Sequence, residues 1–294
     1  RDDGGLKAMM DADGRVTDDG PDLYDQAFYL FALAHAFGTL GDTVYRDDAV
    51  RLMSLLDGRM ANPAGGYEEA LTRKLPLRSN PHMHLLEAAL AWLSVDQGAQ
   101  WRRLGGGIVS LCRQNFIDRQ RGLLLEEFDG DWQPLHADEA RPTEPGHNFE
   151  WAWLLYRWRA VTGESTIDLA EGLLGFAERH GVDSHRGVAF NSLRADGVAI
   201  DAPARLWPQT ERLKANLAAA EHAKSSGGDS APAVERAGLA AAALLRYLET
   251  PVAGLWRDRM LVDGSLVDEP APASTFYHII CAISELRRVR AILG

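Results

Sequence analysis

Residues able to transfer protons recur along this chain at the starts of predicted helices. Three pairs have helical spacing, either i, i+3 or i, i+4, so that the members of each pair share one helix face. A further histidine, His278, follows the last of the predicted helix starts. The three pairs are His147 with Glu150, Asn80 with His84, and Trp207 with Glu211.

These residue types favour acid–base chemistry on a small polyhydroxylated molecule. The helix macrodipole disfavours imidazolium at an N-terminus, whereas a neighbouring carboxylate such as Glu150 favours it, so His147 is expected to titrate near neutral pH. His147 and His278, on different helices, could act on opposite sides of one substrate. Trp207 offers a flat apolar surface for a sugar ring, and Asn80 and Glu211 can hydrogen-bond to hydroxyls.

Each of these residues also has a structural interpretation. Asn80 precedes Pro81 and is a good helix N-cap. Glu150 and Glu211 near helix N-termini are favoured by the macrodipole alone. Histidines at comparable positions in several helices are harder to explain in this way, so the sequence favours function but leaves both interpretations open.

Helical periodicity dominates the chain and predicts nine helices. Strand-like alternation is confined to residues 123–128 and 188–191, which we expect to form at most short hairpins. The periodic segments are 23–37, 49–56, 84–92, 108–116, 149–158, 167–176, 213–220, 234–248 and 276–292.

A period of about 60 residues is visible in the helix starts. Prolines 21, 81, 145, 208 and 272 stand at intervals of 60, 64, 63 and 64 residues, and proline is tolerated in a first helical turn. Such a repeat predicts an all-α fold, an α/α toroid that is a ring of helical hairpins, formed by residues 1–294 as a single domain. Five inner and four outer helices are counted, so a ring of twelve would lack about three helices on the N-terminal side.

Composition excludes several classes of partner. The formal net charge is −11, which argues against nucleic acid because a phosphate backbone requires a basic surface. No apolar run approaches the ~20 residues of a membrane span. The two cysteines lie far apart and are typical of buried thiols in a reducing compartment. We therefore expect a cytoplasmic protein with no membrane or nucleic-acid partner. The sequence leaves open whether the protein forms a homo-oligomer.

These segments resemble the N-acylglucosamine 2-epimerase superfamily, which includes mannose isomerases and cellobiose 2-epimerases. The resemblance spans Gly4 to the C-terminus and implies an (α/α)6 barrel. It is carried by the segments Asn80-Pro-His-Met-His84, Glu144-Pro-Gly-His147-Asn-Phe-Glu150-Trp, Arg205-Leu-Trp207-Pro-Gln-Thr-Glu211, Ser274-Thr-Phe-Tyr-His278 and Leu23-Tyr24-Asp-Gln-Ala.

The resemblance implies a role for each matching residue. His147 and His278 correspond to the general acid/base pair, and Glu150 to the residue that holds His147. Arg141 is a residue that binds or polarises the substrate. No metal and no organic cofactor are implied. The sugar-binding positions are Tyr24, Asn80, His84, Trp207 and Glu211.

The resulting hypothesis is an isomerase that interconverts D-mannose and D-fructose through a cis-enediol, with a monosaccharide as its substrate. A sugar 2-epimerase uses the same constellation, and a mannose-6-phosphate isomerase would need a basic cluster, for which Arg73, Lys74 and Arg78 are available. A glycoside hydrolase using Glu150 and Glu211, or a sugar-binding protein without activity, is ranked below these.

Overall fold

Helices form in the segments with apolar periodicity, and the extent of their burial distinguishes two kinds of helix. The computed structural model describes residues 1–136 and 141–294. Within these residues there are nine α-helices, as predicted: α1 (Leu23–Leu40), α2 (Thr43–Leu55), α3 (Ser79–Val95), α4 (Ala99–Leu111), α5 (Pro145–Thr162), α6 (Ile167–His180), α7 (Trp207–Ser225), α8 (Ala231–Leu248) and α9 (Thr275–Leu293). One π-helical turn extends α2 (Leu56–Met60) and another extends α4 (Cys112–Phe116).

Short two- and three-residue strands connect the helices. They form antiparallel pairs within loops and build no extended sheet among the described residues. Residues 123–128 contain two of these strands, whereas 188–191 contain none, because Val188 and Ala189 instead bond to neighbouring loop and helix residues. The strands are β1 (Met9–Met10), β2 (Val16–Asp18), β3 (Leu77–Arg78), β4 (Ile117–Asp118), β5 (Leu123–Leu124), β6 (Glu127–Phe128), β7 (Pro142–Thr143), β8 (Ser192–Arg194), β9 (Ala199–Asp201), β10 (Ala204–Arg205) and β11 (Arg259–Met260).

Backbone contacts divide the chain into two compact units. The first contains residues 1–116 and 126–135, and in it α1 packs against α2 and α3, and α3 against α4. Its core includes Trp92, which stacks on Trp101 at 4.5 Å between ring centroids and donates its indole N–H to Leu30 O at 2.9 Å. The predicted single domain is not tested by this division.

The second unit contains residues 117–125 and 136–294. Helix α7 packs against α5, α8 and α9, and α5 also packs against α6. Nearly every residue of α7 from Pro208 to Ala220 is buried, whereas α6 and α8 bury one face only. A helix buried on all sides is an inner helix, and a helix with one apolar face is an outer one, so the predicted alternation holds here.

Four helices begin with the same hydrogen-bonding arrangement. In α1, α3, α5 and α7 a buried polar side chain accepts a hydrogen bond from the backbone N–H of a connecting loop. Each also donates to the carbonyl four residues earlier in its own chain. The loop N–H groups belong to Leu6, Tyr67, Leu124 and Ala189, and their acceptors are Gln26, His82, Asn148 and Gln209 respectively.

This arrangement explains how the sequence holds each helix start. A buried loop N–H without a partner is costly, so each loop is tied to the first turns of the helix beside it. His82 therefore has a structural role, and the two-residue step along α3 turns it away from His84. Asn80 is the second residue of α3, whose N-cap is Arg78, so the N-cap interpretation of Asn80 is wrong. Of the two cysteines, Cys112 is buried and Cys281 is half-buried.

Candidate active site

Two predicted catalytic histidines of the second unit contact the same tryptophan. His147 is in the first turn of α5 and His278 in the first turn of α9, and Trp207 begins α7. The ring centroid of Trp207 lies 5.2 Å from that of His147 and 5.5 Å from that of His278. The structure thus brings together three residues that the sequence placed at helix starts 60 or more positions apart.

Gly146 allows Trp207 to come this close to α5. A Cβ atom added at Gly146 would lie 2.3 Å from Cη2 of the Trp207 ring, well inside van der Waals contact. The glycine that precedes His147 is therefore required by the position of the indole. This close approach explains why the motif contains Gly146 directly before the histidine.

Glu211 is the hydrogen-bond partner of His278. The Nδ1 atom of His278 lies 2.8 Å from Oε1 of Glu211, whose side chain is fully buried. On the other side, the Nζ atom of Lys214 lies 2.6 Å from Oε2 of Glu211. Burial alone would raise the pKa of Glu211, but the charge of Lys214 and the hydrogen bond from His278 outweigh it and hold the pKa below its ordinary value of 4.5.

The ionised state of Glu211 decides the tautomer of His278. An ionised carboxylate only accepts hydrogen bonds, so Nδ1 of His278 must carry the proton that it donates. In the neutral ring the lone pair is then on Nε2. His278 is thereby prepared to act as a base through Nε2, as expected of a general acid/base.

Glu150 lies with Glu211 and His278. One ligand atom from each of these residues lies within 4.8 Å of the other two, and Glu150 is buried. Two carboxylate oxygens and an imidazole nitrogen are a donor set that a divalent cation can use. Lys214 already places a positive charge against Glu211, however, which disfavours a second cation there.

The position of Glu150 bears on its predicted role as the residue that holds His147. The Nδ1 atom of His147 lies 4.0 Å from Oε2 of Glu144, three residues earlier on the same chain. That Glu150 positions the His147 ring therefore stays a prediction. The sugar-binding role of Glu211, whose Oε1 accepts a hydrogen bond from His278, also stays a prediction.

Arg141 precedes β7 in the second unit and is largely buried. Its Nη1 atom lies 3.9 Å from Oδ2 of Asp118. Burial would raise the pKa of Asp118, but hydrogen bonds from Arg121 and from the backbone lower it further than burial raises it. The carboxylate therefore faces the guanidinium as an anion, and a contact of Arg141 with the substrate stays a prediction.

The remaining predicted sugar-binding residues belong to the first unit. His84 has its Nδ1 atom 3.3 Å from Oε2 of Glu87, and its ring centroid lies 5.1 Å from Tyr24 and 4.4 Å from Phe28. Tyr24 and His84 are thus neighbours, as the resemblance implies. Asn80 lies one helical turn before His84 on α3. Their contacts with sugar stay predictions.

Sequence reasoning did not identify Lys214, Trp153 and Glu87 as parts of these clusters. The signal for Glu87 and for Lys214 was a spacing of three residues from His84 and from Glu211, which places each pair on one helix face. The Trp153 ring lies under Lys214, with Nζ 3.9 Å from the ring centroid, and its indole N–H donates to Glu285 at 3.0 Å.

The basic cluster considered for a phosphate is already occupied by protein groups. Arg78 bonds both oxygens of the buried Glu69 carboxylate, with its backbone N–H at 2.7 Å from Oε1 and Nη2 at 2.7 Å from Oε2. Arg73 donates to Gly130 O at 2.7 Å. These two arginines therefore serve loop structure in the first unit.

Comparisons with known proteins identify the family of the chain. The family model of N-acylglucosamine 2-epimerase matches residues 1–282. A relative named mannose-6-phosphate isomerase, from Rhizobium meliloti, is 46% identical over 95% of this chain and 73% of its own length. A D-mannose isomerase from Pseudomonas cannabina pv. alisalensis is 34% identical over 38% of this chain and 31% of its own length.

The fold agrees with a solved structure. The cellobiose 2-epimerase of Spirochaeta thermophila superposes with a TM-score of 0.81 at 21% identity, covering 96% of this chain and 74% of that protein. This likeness confirms the predicted fold class, all-α and of the α/α-barrel type.

No α-helix among residues 1–136 and 141–294 is both long and apolar enough to cross a bilayer. The family match covers nearly the whole chain, and the 46% identical relative covers most of it. The chain therefore belongs to the N-acylglucosamine 2-epimerase family and is an enzyme of the sugar isomerase and epimerase class.

Proposed function

We propose that this enzyme interconverts D-mannose and D-fructose through a cis-enediol. The observation that carries the proposal is the pair of histidines at the starts of α5 and α9, both in contact with Trp207. The one that bonds to Glu211 is the base for carbon, because its Nε2 has the lone pair. The relative named D-mannose isomerase supports the choice of sugar.

In the proposed reaction His147 opens the pyranose by moving a proton between O5 and O1. His278 then removes the proton from C2 through Nε2, and O1 takes up a proton, which gives the cis-enediol. The return of the first proton to C1, with loss of the proton on the 2-hydroxyl, forms the C2 carbonyl of the ketose. Each positioned acid or base contributes a factor of roughly 10²–10⁴ to the rate.

Glu211 supports this cycle electrostatically. When His278 takes the C2 proton it becomes an imidazolium, and the ionised carboxylate 2.8 Å from its Nδ1 stabilises that charge. Trp207, which touches both histidine rings, provides the apolar surface against which a sugar ring can stack.

The first test measures fructose formed from D-mannose by the protein and by two variants, His147→Ala and His278→Ala. We expect each substitution to lower kcat by about 10²-fold or more, because an acid/base group is lost. His185→Ala, at an exposed loop histidine, is the matched control and should behave like the parent. Parental activity in both site variants would refute the proposal.

Solvent exchange separates the isomerase from a 2-epimerase, which uses the same groups. In D₂O an isomerase places deuterium on C1 of fructose to the extent that the proton taken up by His278 exchanges with solvent before it is delivered to C1. An epimerase that reprotonates C2 from the opposite face yields deuterium at C2 only. Deuterium restricted to C2, with glucose formed from mannose, would assign the epimerase reaction instead.

Mannose 6-phosphate is the second candidate substrate, favoured by the name of the 46% identical relative. Against it, Arg73 and Arg78 are already bonded to Gly130 and Glu69. The comparison of kcat/KM for the free and the phosphorylated sugar decides between them. A preference for the phosphorylated sugar that Lys74→Ala leaves intact would show that the phosphate is bound elsewhere than the predicted cluster.

A further inference from the structure

Lys214 is a buried lysine that the proposed reaction does not use. Its side chain has no exposed surface, and its Nζ lies 2.6 Å from Oε2 of Glu211 and 3.9 Å from the ring centroid of Trp153. Removing an ammonium from water is costly even when it is paired. The apolar residues beside it on α7, Leu213, Ala215 and Leu217, are buried without such a cost.

We propose that Lys214 is a positioning residue that acts on His278 through Glu211. The two oxygens of the carboxylate have different partners, since Oε1 accepts from His278 and Oε2 faces Lys214. The lysine thus holds the carboxylate in the orientation that His278 needs. It also balances the charge of Glu211, so that the carboxylate attracts a proton on the imidazole less strongly. The catalytic meaning of this inference rests on the proposed function.

The charges around His278 make the direction of the effect unambiguous. Within the second unit, Glu150 of α5 and Glu211 of α7 bring carboxyl groups to His278, and Lys214 brings the cation. On α9, Glu285 bonds to Trp153 and is paired with Arg288. Removal of Lys214 deletes a positive charge from this cluster, and every group left in it then holds a proton more tightly.

The first experiment follows the titration of the His278 imidazole by NMR in the protein and in Lys214→Met, with the signal assigned through His278→Gln. Methionine matches the length of the lysine side chain and needs no partner, so the helix can keep its packing. We expect the pKa of His278 to rise by about one unit or more in Lys214→Met. In Lys214→Arg, which keeps the charge, it should return towards the parental value.

The kinetic counterpart is the pH profile of kcat/KM. If His278 acts as a base, its acid limb moves to higher pH in Lys214→Met by the same amount and moves back in Lys214→Arg. A lysine that served only to fill space would leave the profile in place and change only stability. An unchanged His278 titration in folded Lys214→Met overturns the inference.

A second measurement needs no variant and so does not depend on folding. The sequence contains four lysines, so few Nζ resonances have to be distinguished. The resonance of the buried Lys214 can be assigned as the one protected from exchange with solvent. We expect an ammonium across the whole pH range in which His278 titrates. A neutral amine in that range would overturn the inference.

These titrations use no substrate, so they separate the inference from the proposed function. If the pKa of His278 changes in Lys214→Met but the protein isomerises no sugar, the effect of Lys214 on the imidazole is supported and the proposed reaction is refuted. If the protein is an active isomerase but the pKa of His278 does not change in Lys214→Met, the proposed reaction is supported and the role of Lys214 is refuted.

Discussion

The Nδ1 atom of His278 lies 2.8 Å from Oε1 of Glu211, and the two residues come from different helices, α9 and α7. The hydrogen bond determines which ring nitrogen can act as a base. It also places a full negative charge beside the ring that becomes cationic when a proton is taken. The chemistry of the site therefore depends on the packing of α7 against α9 as much as on the histidine itself.

Glu211→Gln is expected to lower kcat about 10²-fold with a smaller change in KM. The amide has nearly the same shape and can still accept from His278, but it cannot stabilise an imidazolium by its charge. The measurement is steady-state kinetics on D-mannose. Glu235→Gln, an exposed position on α8, is the matched control and should keep the parental rate.

The double variant Glu211→Gln/Lys214→Met separates activity from stability. In Glu211→Gln alone, Lys214 is left buried without its carboxylate, which is strongly destabilising. Removing the lysine as well should recover the free energy of unfolding, measured by urea denaturation, but not kcat. Recovery of kcat in the double variant would contradict the role given to the Glu211 charge.

Gly146→Ala is expected to displace Trp207 and to lower kcat/KM at least tenfold. The added methyl would lie 2.3 Å from the indole, so the ring that both histidines contact has to move. Overpacking of this kind lowers the free energy of unfolding by about 1–3 kcal/mol. Gly238→Ala is the matched control, because an added Cβ on α8 would contact nothing within 4 Å.

That control should gain up to about 1 kcal/mol of stability, since alanine is the better helix former, and should keep full activity. Equal activity in Gly146→Ala and Gly238→Ala would show that the close approach of Trp207 is unimportant for the reaction. Kinetics and urea denaturation on both variants provide the comparison.

Periodicity and helix-start signals predicted much of this fold. Pro145 is the first residue of α5 and Pro208 the second of α7, where a missing N–H costs nothing. The burial of α8 on one face follows from its apolar pattern, whereas α7 is buried on all sides although it carries Glu211, Arg212 and Lys214. Residues 188–191 form an isolated antiparallel bridge between Ala189 and Val182, and the hydrogen bond of Ala189 with Gln209 could not be predicted from local spacing.

The site was harder to predict for a related reason. Spacing along one helix shows that His147 and Glu150 share a face, but it does not show how the next helix is rotated. Glu211 and His278 are 67 residues apart and meet only because α7 and α9 pack together. Lys214 lies at a buried position of α7. Because lysines are seldom buried, its residue type gave no reason to predict it there.

Chelation is expected to leave the activity intact. Glu150, Glu211 and His278 could provide three ligand atoms to a cation, but the Lys214 ammonium already lies 2.6 Å from Glu211 and repels one. The measurement is kcat after dialysis against EDTA, with and without added Zn²⁺ or Mn²⁺. Loss of activity that a metal restores would contradict the predicted absence of a metal and would assign this cluster as its site.

His82 is expected to make the protein sensitive to acid. Burial lowers the pKa of this ring to about 4, whereas an unfolded histidine titrates near 6.5. The contribution of His82 to the free energy of unfolding is therefore largest above about pH 6.5. It decreases by an amount on the order of 3 kcal/mol as the pH falls towards 4. A further reason is that the Tyr67 N–H donates to Nε2 at 3.0 Å, and Nε2 cannot accept once it is protonated.

His82→Gln should remove that part of the pH dependence. Glutamine makes the equivalent pair of hydrogen bonds at Gln26 and Gln209, where its oxygen accepts from a loop N–H and its amide donates four residues back. We therefore expect the variant to fold and to lose less stability than the parent between pH 7 and pH 5, as measured by urea denaturation at both values. His185→Gln, at an exposed histidine, should follow the parent at both pH values. Because the hydrogen bonds of the introduced amide would not titrate, an equal loss in His82→Gln and the parent would mean that other groups, and not this ring, govern the acid sensitivity.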